Sequence, residues 1–319
     1  MSKAFVFPGQ GSQKIGMGKS LADNFPVAKE VFNKVDEALG EKLSGLTWEG
    51  NIDELTLTKN AQPALMATSM AVLAVLEDNG FDINSLAFVA GHSLGEYTAL
   101  CASRSIDIAD CARLLRTRGL AMQESVISGQ GSMAAILGLD LQQVETVITD
   151  VQNSNSDKKE ICQIANDNDP KQVVISGNTE SITRAVELAK DKGAKRAVIL
   201  QVSAPFHCDL MAPAANAMEK ALSTIDILKP KVPVILNTTA RPSSDPIEIK
   251  QNLVKQVTGR VEWRESINIM VKNGVTEFYE IGVGRVLSGT IKRISANSNA
   301  QGLSTEEDIG NYLGARRDV

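Results

Sequence analysis

Six residues, Gly91-His92-Ser93-Leu94-Gly95-Glu96, constrain this chain more than any other stretch. An apolar, strand-like run (Leu86 to Ala90) precedes them, and a helix-like run (Glu96 to Ser103) follows. A strand–turn–helix setting is what G-x-S-x-G needs to act as a nucleophile elbow in an α/β fold. Glycines on either side of Ser93 leave room for a tight, strained turn that exposes the hydroxyl. The helix that begins there directs free N–H groups, that of Leu94 first, toward any oxyanion formed beside the serine.

The pentapeptide alone arises by chance in roughly one chain in ten of this length at ordinary Gly and Ser usage. The scarcity of histidine sharpens it. A serine hydroxyl needs an adjacent base, usually imidazole, to be nucleophilic near neutral pH. The chain holds two histidines, His92 and His207. Side chains at i and i+1 diverge on an elbow, so His92 is a poor base for Ser93. His207, in Ala204-Pro205-Phe206-His207-Cys208, is the remaining candidate.

Composition bounds the class. Hydrophobic residues make up 43% of the 319 and charged ones 22%, which is ordinary globular usage with ample material for a core. A net charge of −5 argues against a nucleic-acid-binding surface. The four cysteines, Cys101, Cys111, Cys162 and Cys208, show no metal spacing and read as reduced thiols, which predicts a cytoplasmic protein. Ser2 to Phe7 turns into Pro8-Gly9 too early for a signal-peptide core, and the longest apolar-leaning stretch, Ala64 to Leu76, is far shorter than the ~20 residues of a membrane span. No membrane association is expected, and a monomer is.

Along the chain, Ala4 to Phe7 reads as a buried strand, followed at once by Pro8-Gly9-Gln10-Gly11-Ser12-Gln13. That loop lacks the Walker and dinucleotide glycine spacings. It reads equally as a plain tight turn or as the source of a second backbone donor, at Gln10, for the oxyanion. Helices are expected over Pro26–Leu39, Ala61–Asn79 and Ile108–Ser125, the last carrying Arg113, Arg116 and Arg118. From Gly129 to Val202 the rhythm becomes β-α-β-β-α-β, the split βαβ pattern of ferredoxin-like domains. The expected organisation is an α/β-hydrolase-like catalytic domain, residues 1–128 and 203–319, with a mainly parallel sheet. A ferredoxin-like subdomain, residues 129–202, is inserted between nucleophile and base. Within it the polar run Asn153 to Glu160 forms the longest loop, and the last twenty or so residues of the chain look loosely held.

Taken together, Phe7 through Gln13, Gly91 through Tyr97, Arg116-Thr117-Arg118-Gly119, Phe206-His207-Cys208 and Gln256 through Trp263 resemble, in order, the malonyl-CoA:acyl-carrier-protein transacylases, acyltransferases of fatty-acid synthesis. The resemblance spans residues 3 to 295. It implies Ser93 as the acylated nucleophile, His207 as its base, and the N–H groups of Leu94 and Gln10 as the oxyanion hole. It implies a carbonyl at or near Gln256, main chain or side chain, in the place of an acidic third member. A carbonyl accepts the Nδ1–H of the imidazole and leaves Nε2 free as base.

Without the resemblance Arg118 reads as a solvated helix arginine; with it, the guanidinium is a fork for the free malonyl carboxylate. Phe206 is placed to narrow the space beside the α-carbon, and His92 and Asn168 are placed in the substrate site. The chain departs from many relatives in reading Asn168-Asp169-Pro170 where they have Asn-Ser-Pro.

The implied reaction is ping-pong transfer of malonyl from malonyl-CoA to the phosphopantetheine thiol of acyl carrier protein. No metal or bound cofactor is implied, since coenzyme A and the pantetheine arm are substrates. An acidic carrier needs a basic dock, for which Lys190, Lys192, Lys195 and Arg196 compete with Lys292 and Arg293. The residues by themselves leave a serine hydrolase on the same elbow as the alternative, and an idle docking module as a third.

Overall fold

A computed structural model describes residues 2–127, 129–153 and 160–317. Strand β1 (Ser2–Phe7) is apolar on both faces, Ala4 to Phe7 being wholly buried, as the central strand of a parallel sheet must be. It pairs in parallel with β2 (Phe88–Gly91), which ends at the elbow. The chain then builds a second sheet from β3 (Gly131–Leu137), β4 (Cys162–Asp169), β5 (Gln172–Asn178) and β6 (Arg196–Ile199). It returns to the first with β7 (Val234–Ile235), β8 (Pro242–Ser243), β9 (Val275–Ile281) and β10 (Asn299–Leu303). The large sheet has the order β10-β9-β1-β2-β7-β8 and is parallel except for the β7–β8 pair. This bears out the expected mixed α/β fold with a mainly parallel sheet.

Alternation along β1 sends its side chains to two cores. Phe5 and Phe7 face a thick helical layer that includes Thr58–Asp78, Leu94–Ala102 and Ile108–Glu124. Ala4 and Val6 face the helices Trp263–Lys272 and Val286–Ile294. The second sheet is antiparallel throughout, order β4-β5-β3-β6, the strand order of a split βαβ unit. One face packs on the helices Leu141–Asn153 and Thr179–Asp191 around Ile136, Val144, Val147, Ile175 and Ile182. Its other face, Met133, Ala135, Ala165 and Val174, is turned toward Leu200 and Phe206 and forms a wall of the site.

Three readings of the sequence change. Residues 299–317 are not loosely held: β10 and the helix Glu306–Arg317 pack on the core, with Tyr312 buried against the Phe5, Phe81 and Tyr279 rings. The strand expected over Arg196–Val202 stops at Ile199, and Leu200 to Val202 become cleft wall. The elbow helix starts at Leu94, two residues earlier than the apolar run suggests. The polar run Asn153 to Glu160 lies, but for its two ends, outside the described residues.

Candidate active site

Ser93 sits between β2 and its helix with φ +54° and ψ −108°, a conformation L residues rarely adopt. The glycines around it are steric necessities. A Cβ on Gly91 would lie 1.9 Å from the carbonyl of Gly95, and one on Gly95 would lie 2.2 Å from the carbonyl oxygen of Phe7. The backbone of the turn is held from outside as well. The Ser93 N–H donates to Asn237 Oδ1 (2.8 Å), and Asn237 Nδ2 donates to the Gly91 carbonyl (2.7 Å). Gly95 N–H and Glu96 N–H bond back to the carbonyls of His92 and Ser93. Leu94 N–H, at the first helical position, has no acceptor among the described residues and is the donor this turn leaves for an oxyanion.

The base comes from a distant segment. His207, itself at φ +59° and 3% exposed, meets Ser93 Oγ with Nε2 at 2.8 Å. Its Nδ1 lies 2.8 Å from the main-chain carbonyl oxygen of Gln256 and 3.1 Å from that of Gly259. Both acceptors are carbonyls, so Nδ1 carries the proton and Nε2 is left to take one from the serine. Burial, aided by the Arg118 charge, pushes the imidazole down to about 3, which keeps it a neutral base throughout the ordinary pH range.

Arg118, from the helix Ile108–Glu124, is 1% exposed and reaches the same point. It donates to Gln62 Oε1 (2.9 Å), Gln256 Oε1 (2.9 Å) and Ser93 Oγ (3.0 Å), and its guanidinium carbon lies 5.6 Å from the centre of the Tyr97 ring. All three acceptors are neutral, so a buried positive charge faces the cleft with the geometry to take a carboxylate. Since Arg118 donates to Ser93 Oγ, the hydroxyl's single proton points at His207.

The cleft above Ser93 measures about 170 Å³ and is lined by Gln10, Gln62, Met122, Met133, Leu200 and Phe206 among others. Gln10 stands at its rim, its side chain donating to Thr58 Oγ1 (3.3 Å). An outer chamber of about 290 Å³ shares Gln10, Gly11, His92, Asn166 and Leu200 with the cleft and runs out past Asn168 to Val286 and Thr290. His92 is turned away from Ser93: its Nε2 meets Asn168 Oδ1 at 2.8 Å and its ring packs edge-on against Trp263. Asp169 also points elsewhere, its carboxylate taking Arg293 Nε at 2.7 Å. A larger groove of about 770 Å³, lined by Val31, Met70, Arg104 and Ile108, lies apart from Ser93 and holds no nucleophile–base pair. The chemistry belongs to the smaller cleft.

Sequence reasoning missed three residues of this site. Asn237 follows β7 in Asn237-Thr238-Thr239-Ala240, where only its position after a strand of the main sheet is a signal. Gln62 read only as the second residue of the helix expected from Ala61, and Glu96, although inside the motif, read as a helix start.

A serine–histidine–carbonyl arrangement with an arginine aimed at the serine has the geometry for nucleophilic acyl chemistry. Residues 4–312 match the family model described as an acyl transferase domain. The chain belongs to the acyl transferase family. Within that family it is 46% identical over 310 residues, 97% of this chain and 96% of the relative, to the malonyl CoA-acyl carrier protein transacylase of Bacillus subtilis. The crystal structure of an acyl-carrier-protein S-malonyltransferase from Bartonella henselae superposes with a TM-score of 0.95 at 53% identity, covering 99% of both chains. A malonyl-transacylase solved in complex with a type II PKS acyl-carrier protein superposes at 0.94 with 38% identity, covering 99% of this acyltransferase and all of that chain. The family resemblance read from the motifs is borne out.

Proposed function

We propose that this acyltransferase moves malonyl from malonyl-CoA to the phosphopantetheine thiol of an acyl carrier protein, for fatty-acid synthesis in the cytoplasm, through a malonyl ester on Ser93. The observation that carries the reading is Arg118, a buried guanidinium within 3.0 Å of the nucleophile whose own bonds end on neutral oxygens. An acyl group with a free carboxylate fits such a site; a simple acyl group leaves the cation desolvated and unpaired. His207 Nε2 takes the Ser93 proton as Oγ attacks the thioester carbonyl. The oxyanion forms against the N–H of Leu94 and of Gln10. His207 then returns the proton to the departing sulfur of coenzyme A. In the second half the carrier's thiol gives its proton to His207 and attacks the ester, and Ser93 Oγ recovers the proton. The malonyl carboxylate against Arg118 also offsets the charge that, together with burial, holds His207 down, so substrate binding strengthens the base.

Phe206, beside the base, limits the room next to the α-carbon, while His92 and Asn168 shape the passage through which a pantetheine arm enters. The four cysteines are free and buried, in keeping with a reducing compartment, and no described helix is long and apolar enough to cross a membrane. For the carrier, the helix Val286–Ile294 opens on the outer chamber at Val286 and ends on Lys292 and Arg293. Lys190 to Arg196 sit at the end of β6 away from Leu200, and Lys192 is paired with Asp150. The Lys292 end is therefore the better placed of the two docks, although Arg293 also ties Asp169. Like the catalytic roles, a monomer and an inserted unit over 129–202 belong to this proposal.

Initial rates with malonyl-CoA and holo carrier protein varied together test the reading. Parallel double-reciprocal lines are expected, because coenzyme A leaves before the carrier binds. Intersecting lines, or malonate released to water faster than it reaches the carrier, contradict it.

A further inference from the structure

Beneath the nucleophile lies a carboxylate that the acyl-transfer steps do not use. Glu96, third residue of the elbow helix, is fully buried. Its Oε2 accepts from Gln256 Nε2 (2.7 Å) and from the backbone N–H of Asn237 (3.2 Å), while Oε1 has no hydrogen-bond partner among the described residues. Gln256 is the hub of the site. Its carbonyl orients His207, its Nε2 donates to the carbonyl of Ser93 (2.9 Å), and its Oε1 receives Arg118.

A side-chain amide has two unlike ends of almost the same shape. With oxygen toward Arg118, Gln256 accepts from the guanidinium; turned over, it sets NH2 against a cation and loses the bond to Ser93. Three acceptors surround Nε2. Asn237 Oδ1 is the most distant, at 3.3 Å, and the Ser93 carbonyl is shared with the N–H of Glu96. The Glu96 contact is the shortest of the three, at 2.7 Å. Asn237 N–H clamps the same oxygen, so it is fixed from both sides.

We propose that Glu96 is a positioning residue: its Oε2 sets which way the Gln256 amide faces, and through that amide it places Ser93 and Arg118 for attack and for carboxylate recognition. The role belongs to an acceptor oxygen at one point rather than to a charge. Burial raises the carboxyl to about 7, and a proton on Oε1 leaves the acceptor in place.

Two near-isosteric variants separate geometry from charge. Glu96→Gln keeps an oxygen at that point and removes the charge; Glu96→Asp keeps the charge and withdraws the oxygen by one methylene. Three quantities are read on each: kcat, the malonyl-to-acetyl ratio of kcat/KM, and the rate at which a fluorophosphonate labels Ser93. The first two rest on the malonyl-transfer reading and the labelling does not. If wild type labels but does not transfer malonyl, that reading fails and the labelling rates still decide the role of Glu96.

Glu96→Gln is expected within about threefold of wild type in all three. Glu96→Asp is expected to lose tenfold or more in kcat and labelling, with the malonyl preference falling toward unity. Both variants near wild type, both impaired alike, or Asp rescuing better than Gln would each overturn the proposal. Should Glu96→Asp fail to fold, a tenfold loss of labelling in folded Glu96→Gln overturns it, and retention supports it.

Discussion

At Ser93 three bonds divide the work of one hydroxyl and its backbone. Arg118 donates to the oxygen, the hydroxyl proton faces His207, and Asn237 holds the N–H. Arg118 is therefore close enough to serve both nucleophile and substrate. Charge-assisted hydrogen bonds contribute about 1.5–3 kcal/mol, so Arg118→Ala should cut the preference for malonyl over acetyl by roughly ten- to a hundred-fold. Competing the two thioesters for the enzyme measures this; an equal loss for both would return Arg118 to a structural role. Ser93 and His207 were legible because the elbow has a local spacing and histidine is scarce. Arg118 needed the family pattern, since Arg113 and Arg116 on the same helix look alike in sequence. The carbonyl acceptor of His207 was legible as a neighbourhood, and the structure shows main-chain carbonyls there, that of Gln256 nearer than that of Gly259. Asn237 was not legible: it lies 144 residues from the serine it holds, and nothing local marks an asparagine as the cap of a distant turn.

The elements that carry these residues owe their boundaries to contacts as much as to pattern. Pro63 denies its helix one bond, so a start at Ala61 is the natural reading, yet the helix begins at Thr58. Contacts from outside supply the difference: Gln123 Oε1 caps the Lys59 N–H at 2.7 Å, and Asn60 Nδ2 reaches the Glu54 carbonyl. Gln123 lies on the Arg118 helix, and the two helices cross at Gly119, where a Cβ would come within 2.5 Å of the Lys59 Cα. That close approach sets the depth of Arg118. Gly119→Ala should cost about 1–3 kcal/mol by overpacking and lower malonyl transfer more than Ser93 labelling, read by urea denaturation beside the two assays. Unchanged stability and transfer would mean that the crossing does not set the arginine. The terminal helix was missed for a related reason. The apolar stripe of Glu306 to Arg317 is short, Ile309, Tyr312 and Leu313 among polar and glycine residues, and Tyr312 holds the helix by joining an aromatic cluster built from β1, β9 and Phe81.

Across the whole molecule, the site exists because two sheets share a boundary. β4 is stitched to the large domain along its length: the Asn166–Val261 bridge, the buried Asp167 with Arg264 at 2.8 Å, and Asp169 with Arg293. The last of these gives the Asp169 carboxylate its partner. It faces a helix cation and leaves the substrate passage to Asn168. The succession of strands along the chain was legible from apolar runs and their spacing, apart from β8 and β10, but the joining of the two sheets was not, since ion pairs between segments 97 and 124 residues apart leave no period in a sequence. Elbow, base and arginine converge only in this assembled state, and the proposed malonyl ester on Ser93 requires all three. Intact-protein mass spectrometry after brief exposure to malonyl-CoA, with Ser93→Ala alongside, tests it most directly. One malonyl adduct is expected, which requires Ser93, persists in water and disappears on adding holo carrier protein; an adduct cleared by water alone, or none at all, would overturn the malonyl-Ser93 ester.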